Sequence, residues 1–352
     1  MARSGIRSQQ ANDFCREILP AVSRTFALSI RLLPGDLGNA VRTAYLICRI
    51  ADTIEDEPRL HAEAKAELFD ALAACFDGPE PAMEFISRAA SISGDPACVR
   101  LVGNTDLVFE AFRELPEHTR TAVRHWVSEM IAGMRKFSLA YPHGVRIQSL
   151  DEYKEYCYYV AGTVGYMLTD LWHEHSPSIG TQQYEALRER CRAFAEALQT
   201  VNILKDVARD AEHENSIYIP DQLLRAHGSA HETILAPHRA DQNRAALATL
   251  VQLAWQDLDH ATAYLLAIPR KAVSIRLFCA LPLLFAYATL RDLTTRPGAL
   301  GAPRREVVKI SRSEVKSLTA LSVLGVFSNR VMSWLVARTR VKPVLLGLRV
   351  EG

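Results

Sequence analysis

Two pairs of aspartates set the chemical question. Asp52 and Asp56 stand four residues apart in "RIADTIEDEP", and Asp206 and Asp210 repeat that spacing in "NILKDVARD". On an α-helix the spacing stacks both side chains on one face. Each pair closes a segment that is otherwise apolar and helical in pattern, and the first is reinforced by Glu55 and Glu57. Like charges at i,i+4 mildly destabilise a helix, and carboxylates on a core-facing helix are costly unless a cation binds between them. Mg²⁺ suits such a site. It prefers oxygen ligands, keeps several waters and bridges a few carboxylates to substrate phosphates. Two facing carboxylate helices would hold two or three such ions and capture a diphosphate. Cationic side chains stand close in sequence: Arg24 after Ser23 in "SRTF", Arg49 three before Asp52, and Lys205 beside Asp206. Mg²⁺ with Arg or Lys neutralises the charge that develops on a departing diphosphate. The competing reading is two solvated acidic faces, the ordinary fate of a carboxylate on a helix. Spacing alone leaves both readings open.

The elements that must position these groups are helical. "AEAKAELFDALAACF" (62–76), "TAVRHWVSEMIAGMRKFSLA" (121–140), "YEALRERCRAFAEALQTVNILKDVARD" (184–210) and "RAALATLVQLAWQDLDHATAYLLAI" (244–268) all space apolar residues by three and four. Alternating, β-branched strand patterns are nearly absent, so the chain is expected to be all-α, with roughly ten or more helices. Turn-forming breaks fall at 32–38, 76–81, 93–97, 141–145, 213–221 and 294–305. Only the last resembles a linker, and the segment beyond it is too short for its own core. A single domain over 1–352 is expected, with a core of about 12–294 and a C-terminal helical segment at 306–341.

Composition narrows the function classes. Hydrophobic residues make up 49% and charged residues 23%, enough for a sizeable core. A net charge of +1 provides no overall field for nucleic acid, so none is expected as a partner. The seven cysteines include no CxxC pair and sit mostly in apolar surroundings, which reads as reduced core thiols of a cytoplasmic protein. The N-terminus lacks an apolar signal core, and no run of 18 apolar residues predicts a membrane span.

Several segments resemble the squalene/phytoene synthase family, the head-to-head prenyl transferases. They are "SRTFALSI" (23–30), "AYLICRIADTIED" (44–56), "YCYYVAGTVG" (156–165) and "LQTVNILKDVARD" (198–210), in family order. "FCALPLLFAYATL" (278–290) and "VVKIS" (307–311) are similar to the squalene synthase branch. The resemblance implies the all-α isoprenoid synthase fold, with helices ringing a central apolar cavity. It implies Mg²⁺ and two farnesyl or geranylgeranyl diphosphates that condense into a cyclopropyl intermediate, which for farnesyl diphosphate is presqualene diphosphate. Reduction by NADPH then gives squalene.

Carried over residue by residue, the resemblance makes Asp52, Asp56, Asp206 and Asp210 metal ligands. It makes Ser23, Arg24, Arg49, Asn202 and Lys205 diphosphate contacts, although Lys205 replaces the arginine expected there and loses its bidentate grip. Tyr159 and Tyr45 become the catalytic tyrosines, able to stabilise a cation through the ring face or relay a proton. Phe26, Gly162, Leu168, Gln199 and Phe278 become the substrate tunnel. Gly162 and Gly165 stand inside a helical pattern, where glycine costs about 1 kcal/mol against alanine. Room for a prenyl chain or close helix packing would each explain them. Lys309 and Arg312 become the nicotinamide side, with Ser311 standing where the family has arginine.

His173 and His175 read as surface residues at a helix end. The tail 318–348 is apolar but interrupted by Asn329, Arg330, Arg338, Arg340 and Lys342. It reads as a core helix with a stub, or as a basic amphipathic segment in peripheral contact with a membrane. Two further functions stay open: a synthase that condenses without reducing, ending at presqualene diphosphate, dehydrosqualene or phytoene, and a non-catalytic scaffold. "SIYIP" (216–220) and Ser311 favour the former; four retained aspartates argue against the latter.

Overall fold

A computed structural model describes residues 2–23, 25–296, 298–300 and 308–345. Its α-helices are α1 (Ala2–Val22), α2 (Thr25–Ile30), α3 (Gly35–Glu55), α4 (Ala62–Ala74), α5 (Pro79–Arg88), α6 (Pro96–Val102), α7 (Thr105–Arg113) and α8 (Glu117–Ala140). They continue with α9 (Leu150–Cys157), α10 (Thr163–His175), α11 (Thr181–His213), α12 (Asp221–Ala226), α13 (Ala240–Ala267), α14 (Val273–Thr295), α15 (Arg312–Gly325) and α16 (Asn329–Val341). No β-strand occurs among the described residues; one isolated bridge joins Arg146 to Ile217. The four long periodic windows become α4, α8, α11 and α13, and the expected breaks fall at or near helix ends. Side-chain caps start several helices. Asp95 accepts the Ala97 N–H at 2.8 Å, Ser149 that of Glu152 at 3.2 Å, and Ser311 that of Glu314 at 3.1 Å.

One buried apolar cluster runs from Ala11 to Val344. Helices α3, α8, α10, α11, α13 and α14 enclose its centre. Six of the seven cysteines are buried and all are free, in keeping with small core residues. Helix α14 is long and apolar enough to cross a membrane, but 78% of its most apolar stretch is buried within the protein. It packs against α11, α13, α15 and α16, which makes it a core helix here.

Between α9 and α10 the chain makes one π-helical turn, Tyr158–Gly162, closed by the Thr163 N–H on the Tyr158 carbonyl. Such wide turns shift the phase of the side chains before them against those after. No periodicity argument anticipates it.

The segment beyond 307 is docked by a buried ionic knot. The Arg291 guanidinium donates to both Glu314 oxygens at 2.9 and 3.0 Å, to Asp292 at 2.6 Å and to the Thr339 carbonyl at 3.0 Å. Glu314 also accepts the Val344 N–H at 3.1 Å, and Arg296 pairs with Asp292. The knot ties α14, α15, α16 and the chain around Val344 together.

Candidate active site

Helix α3 presents Tyr45, Arg49 and Asp52 at successive turns of one face, and it ends at Asp56. Helix α11 presents Gln199, Asn202, Lys205, Asp206, Arg209 and Asp210, and it ends at Glu214. All of these line one cavity of about 460 Å³. Its remaining wall is apolar, with Phe26, Leu168, Phe194 and Phe278 among the lining residues. Both acid rows therefore occupy C-terminal turns. The helix dipole is negative there and disfavours further negative charge.

The electrostatics show the strain of this arrangement. Burial pushes the Asp56 carboxyl up to about 8, with Glu214 and Asp52 adding to it. Burial, Glu214 and Asp206 push Asp210 up to about 8, and Asp56 contributes across the gap between helices. Asp52 is raised by burial against the pull of Arg49, and Glu55 is raised well above the carboxylate range by burial, Asp56 and Asp52. Glu214 is raised too, by burial and then Asp206, with Arg209 opposing. Glu57 behaves differently. It turns away, accepts Ser93 N–H and hydroxyl donors at 2.8 and 2.9 Å, and ends below its usual range because those bonds and Arg59 outweigh burial.

The cations are too few to balance the acids. Arg49 stands 3.6 Å from Asp52, Lys205 3.0 Å from Asp206 and Arg209 3.6 Å from Glu214. Arg49 also donates to the Tyr45 hydroxyl at 3.4 Å, and its buried Nε has no partner. Glu55 keeps one buried oxygen without a donor. Among the described residues no three carboxylate, histidine or cysteine side chains close a site around one ion by themselves. An all-oxygen donor set with an orphaned, crowded carboxylate suits a hard cation that keeps waters and takes other ligands from a substrate.

The structure moves several of the expected site residues elsewhere. Tyr159 does not line the cavity. Its ring lies over Gly133 of α8, where a Cβ would fall 2.1 Å from the tyrosine Cγ, with Lys136 on its face. Tyr156 takes the cavity position instead. Its hydroxyl donates to Glu55 at 3.3 Å and its ring stacks on Tyr218 at 4.8 Å. The π turn explains the exchange, because it follows Tyr156 and re-phases Val160, Ala161 and Val164 onto the same wall. Gly162 also faces away, against Tyr158, Glu196 and Arg192. Gly165 does line the cavity, but helix packing requires it: a Cβ there would fall 2.4 Å from the Cys191 carbonyl of α11. Ser23 is no part of the lining; its hydroxyl accepts the Phe26 N–H at 3.2 Å at the start of α2. Arg24 lies outside the described residues.

Lys309 and Arg312 are exposed and do not line the cavity, and Ser311 is spent as a helix cap. Of the two histidines, His173 is exposed at the helix end, whereas His175 is largely covered and contacts Thr119 at 3.1 Å and Glu174 at 3.0 Å. The cavity also contains Glu55, Arg209, Glu214 and Tyr218, which the sequence motifs do not single out. For Glu214 a signal exists, since it continues the Asp206, Asp210 spacing by four. Tyr218 arrives only through tertiary structure: Ile217 N–H donates to the Val145 carbonyl at 2.8 Å, which fixes the loop after α11.

The family model for squalene/phytoene synthase matches residues 19–314. The chain belongs to the squalene/phytoene synthase family. It is 27% identical to squalene synthase 1 of Arabidopsis thaliana over 79% of this chain and 64% of that protein. It is 29% identical to the squalene synthase of Schizosaccharomyces pombe over 80% of this chain and 60% of that one. The match to the Rattus norvegicus squalene synthase is 28% over 78% and 62%. This family member thus spans under two thirds of the length of those relatives. Among solved structures it resembles TcSQS in complex with BPH1237, with a TM-score of 0.76 and 22% identity over 93% of this chain and 92% of the other. It also resembles a dehydrosqualene synthase, with a TM-score of 0.63 and 20% identity over 95% of this chain and 100% of the other. Those likenesses establish the isoprenoid synthase fold.

Proposed function

We propose that this chain is a Mg²⁺-dependent prenyl transferase that joins two farnesyl diphosphates head to head through presqualene diphosphate, as a squalene synthase does. One observation carries the reading: two acid rows on the C-terminal turns of α3 and α11 line a single cavity whose other wall is apolar. Asp52, Asp56, Asp206 and Asp210 would hold the ions, with Glu55 and Glu214 close enough to tune them. Bound Mg²⁺ supplies charge neutralisation at a departing diphosphate. Arg49, Asn202, Lys205 and Arg209 bind and orient the diphosphate oxygens. Phe26, Leu168 and Phe278 bury the prenyl chain, which contributes about 0.8 kcal/mol per CH₂, and they keep water from the carbocation. Tyr156, rather than Tyr159, offers its ring and hydroxyl to the developing cation. Tyr45, on the Arg49 face of α3, lines the same cavity.

The relatives' names favour squalene, hence a final reduction by NADPH. A second reading, condensation without reduction, rests on Lys309 and Arg312 standing on the surface away from the cavity. The scaffold reading is weaker, because all four aspartates line the cavity.

The test is incubation of the purified protein with farnesyl diphosphate and Mg²⁺, with and without NADPH, followed by product analysis. Squalene formed only with NADPH supports the first reading, and a C30 product indifferent to NADPH selects the second. If no diphosphate is released under either condition, the enzymatic proposal fails.

A further inference from the structure

Helix α14 carries a proline where a helix tolerates one least. Pro282 stands well inside Val273–Thr295, and the helix runs on through it. Proline has no N–H, so the carbonyl of Phe278, four positions earlier, loses its helical donor. No residue type is less favourable in a helix interior. Pro20 makes the same break in α1, but it and Arg16, whose carbonyl it frees, are exposed, and water satisfies that oxygen. Phe278 and Pro282 are both buried.

The break faces the cavity. Phe278, Cys279 and Pro282 all line it. A helical carbonyl points along the axis toward the residue four ahead, so that of Phe278 lies between two lining residues. Of these three residues only Cys279 titrates, and burial keeps its thiol protonated. Elsewhere on the cavity wall, helical carbonyls near a break have donors. At the π turn the Thr163 N–H bonds the Tyr158 carbonyl, and the Thr163 hydroxyl donates to the Tyr159 carbonyl at 2.7 Å. The Tyr264 hydroxyl pairs with Thr169 at 2.8 Å, and Thr169 donates to the Gly165 carbonyl at 2.8 Å. Position 282 supplies neither an N–H nor a hydroxyl.

Prenyl chains filling the cavity would strip water from this oxygen. A buried carbonyl without a donor is unfavourable, and positive charge arising beside it offsets that. The prenyl-transfer reading, on which this inference rests, supplies such a charge. The C–O bond to the diphosphate breaks, the electron pair leaves with the diphosphate, and the prenyl carbon is left cationic. The negative end of a fixed dipole stabilises that carbon, and a low-dielectric cavity strengthens the attraction. A carboxylate in the same place would also trap the cation or take its proton. An amide carbonyl is a far weaker nucleophile and base, so the cation stays free to react with the second prenyl double bond.

We propose that the Phe278 carbonyl, released by Pro282, is a catalytic group that stabilises the carbocation in this cavity, with Pro282 as its positioning residue. Pro282→Ala tests this, because it restores the N–H and closes the carbonyl. Its kcat is expected to fall about tenfold or more with KM within about twofold of the parent. A second variant places an alanine-sized residue at 282 through an ester instead of an amide. It lacks the N–H and is expected to recover most of the parental kcat. Binding supplies a readout apart from turnover. With Mg²⁺ and inorganic diphosphate present, the parent is expected to prefer an alkyl dimethylsulfonium ion over its neutral isostere, with carbon in place of sulfur. That preference is expected to drop about tenfold in Pro282→Ala and to return in the ester variant. The far-UV helical signal controls for folding. The proposal is overturned if Pro282→Ala keeps the parental kcat and sulfonium preference, or if the ester variant stays as impaired as Pro282→Ala, which would assign the effect to the lost ring. A parent that releases no diphosphate overturns the prenyl-transfer reading itself, and this proposal with it.

Discussion

The cavity rim and the ionic knot around Arg291 handle buried carboxylates in opposite ways. In the knot, Glu314 receives two guanidinium bonds and a backbone N–H, and Asp292 receives two arginines. At the rim, Asp52, Glu55, Asp56, Asp206, Asp210 and Glu214 outnumber their cations, and burial with the charge of neighbouring carboxylates raises the pKa values of Glu55, Asp56, Asp210 and Glu214. This fold can neutralise a buried acid when neutrality is what stability requires. The uncompensated rim therefore marks a place where the missing positive charge is expected from outside the chain.

The contrast can be broken experimentally. The largest effect is expected at the rim: Asp52→Asn or Asp210→Asn should lower turnover by at least about a hundredfold, read by diphosphate release, with helicity intact. Near-parental rates in both variants would remove the rim's special status. At the knot the same kind of change should act on stability. Glu314→Gln should cost about 3–5 kcal/mol, read as a lower denaturant midpoint, because it breaks a buried ion pair and leaves Arg291 to share Asp292 with Arg296. Asp56→Asn should cost nothing or stabilise the metal-free protein, since it relieves repulsion. Next, Tyr156→Phe should slow turnover by roughly tenfold to a hundredfold, and Tyr159→Phe by less than about twofold.

The smallest effect expected to resolve is a pH dependence. Asp56 and Asp210 have folded pKa values of about 8 against an ordinary 3.8, so the folded state holds protons that the unfolded state has released. Their contribution is fully present below pH 4 and is lost as pH rises toward 8. The Mg²⁺-free Tm should therefore fall between pH 5 and pH 8, and the fall should shrink in Asp56→Asn/Asp210→Asn. A flat profile in the parent would mean that the rim acids are solvated after all.

The acid rows, the apolar helices and the neighbouring cations are legible in the sequence because each is a matter of spacing along one helix. Gln199, Asn202, Lys205 and Asp206 share a face by arithmetic, and the structure brings them to the cavity. What stays hidden depends on contacts between distant segments or on a break in the period. Ser23 looks like part of a substrate motif and is a local cap. Tyr218 needs the bridge between the loops at 145 and 217. The motif at 156–165 points to Tyr159, and only the π turn, which no spacing announces, puts Tyr156 in its place.

That broken period has a consequence for how the segment tolerates change. The wide turn at Tyr158–Gly162 works as a phase shifter, letting Tyr156 before it and Leu168 after it look into one chamber. Losing a single residue there would let the stretch relax to ordinary pitch with Tyr156 and Leu168 still in phase, because the wide turn is one extra residue absorbed without extra rotation. A one-residue insertion between them has no such relief: it would need a second wide turn or would swing Tyr156 away from Leu168 by about 100°, so this segment should tolerate losing a residue better than gaining one.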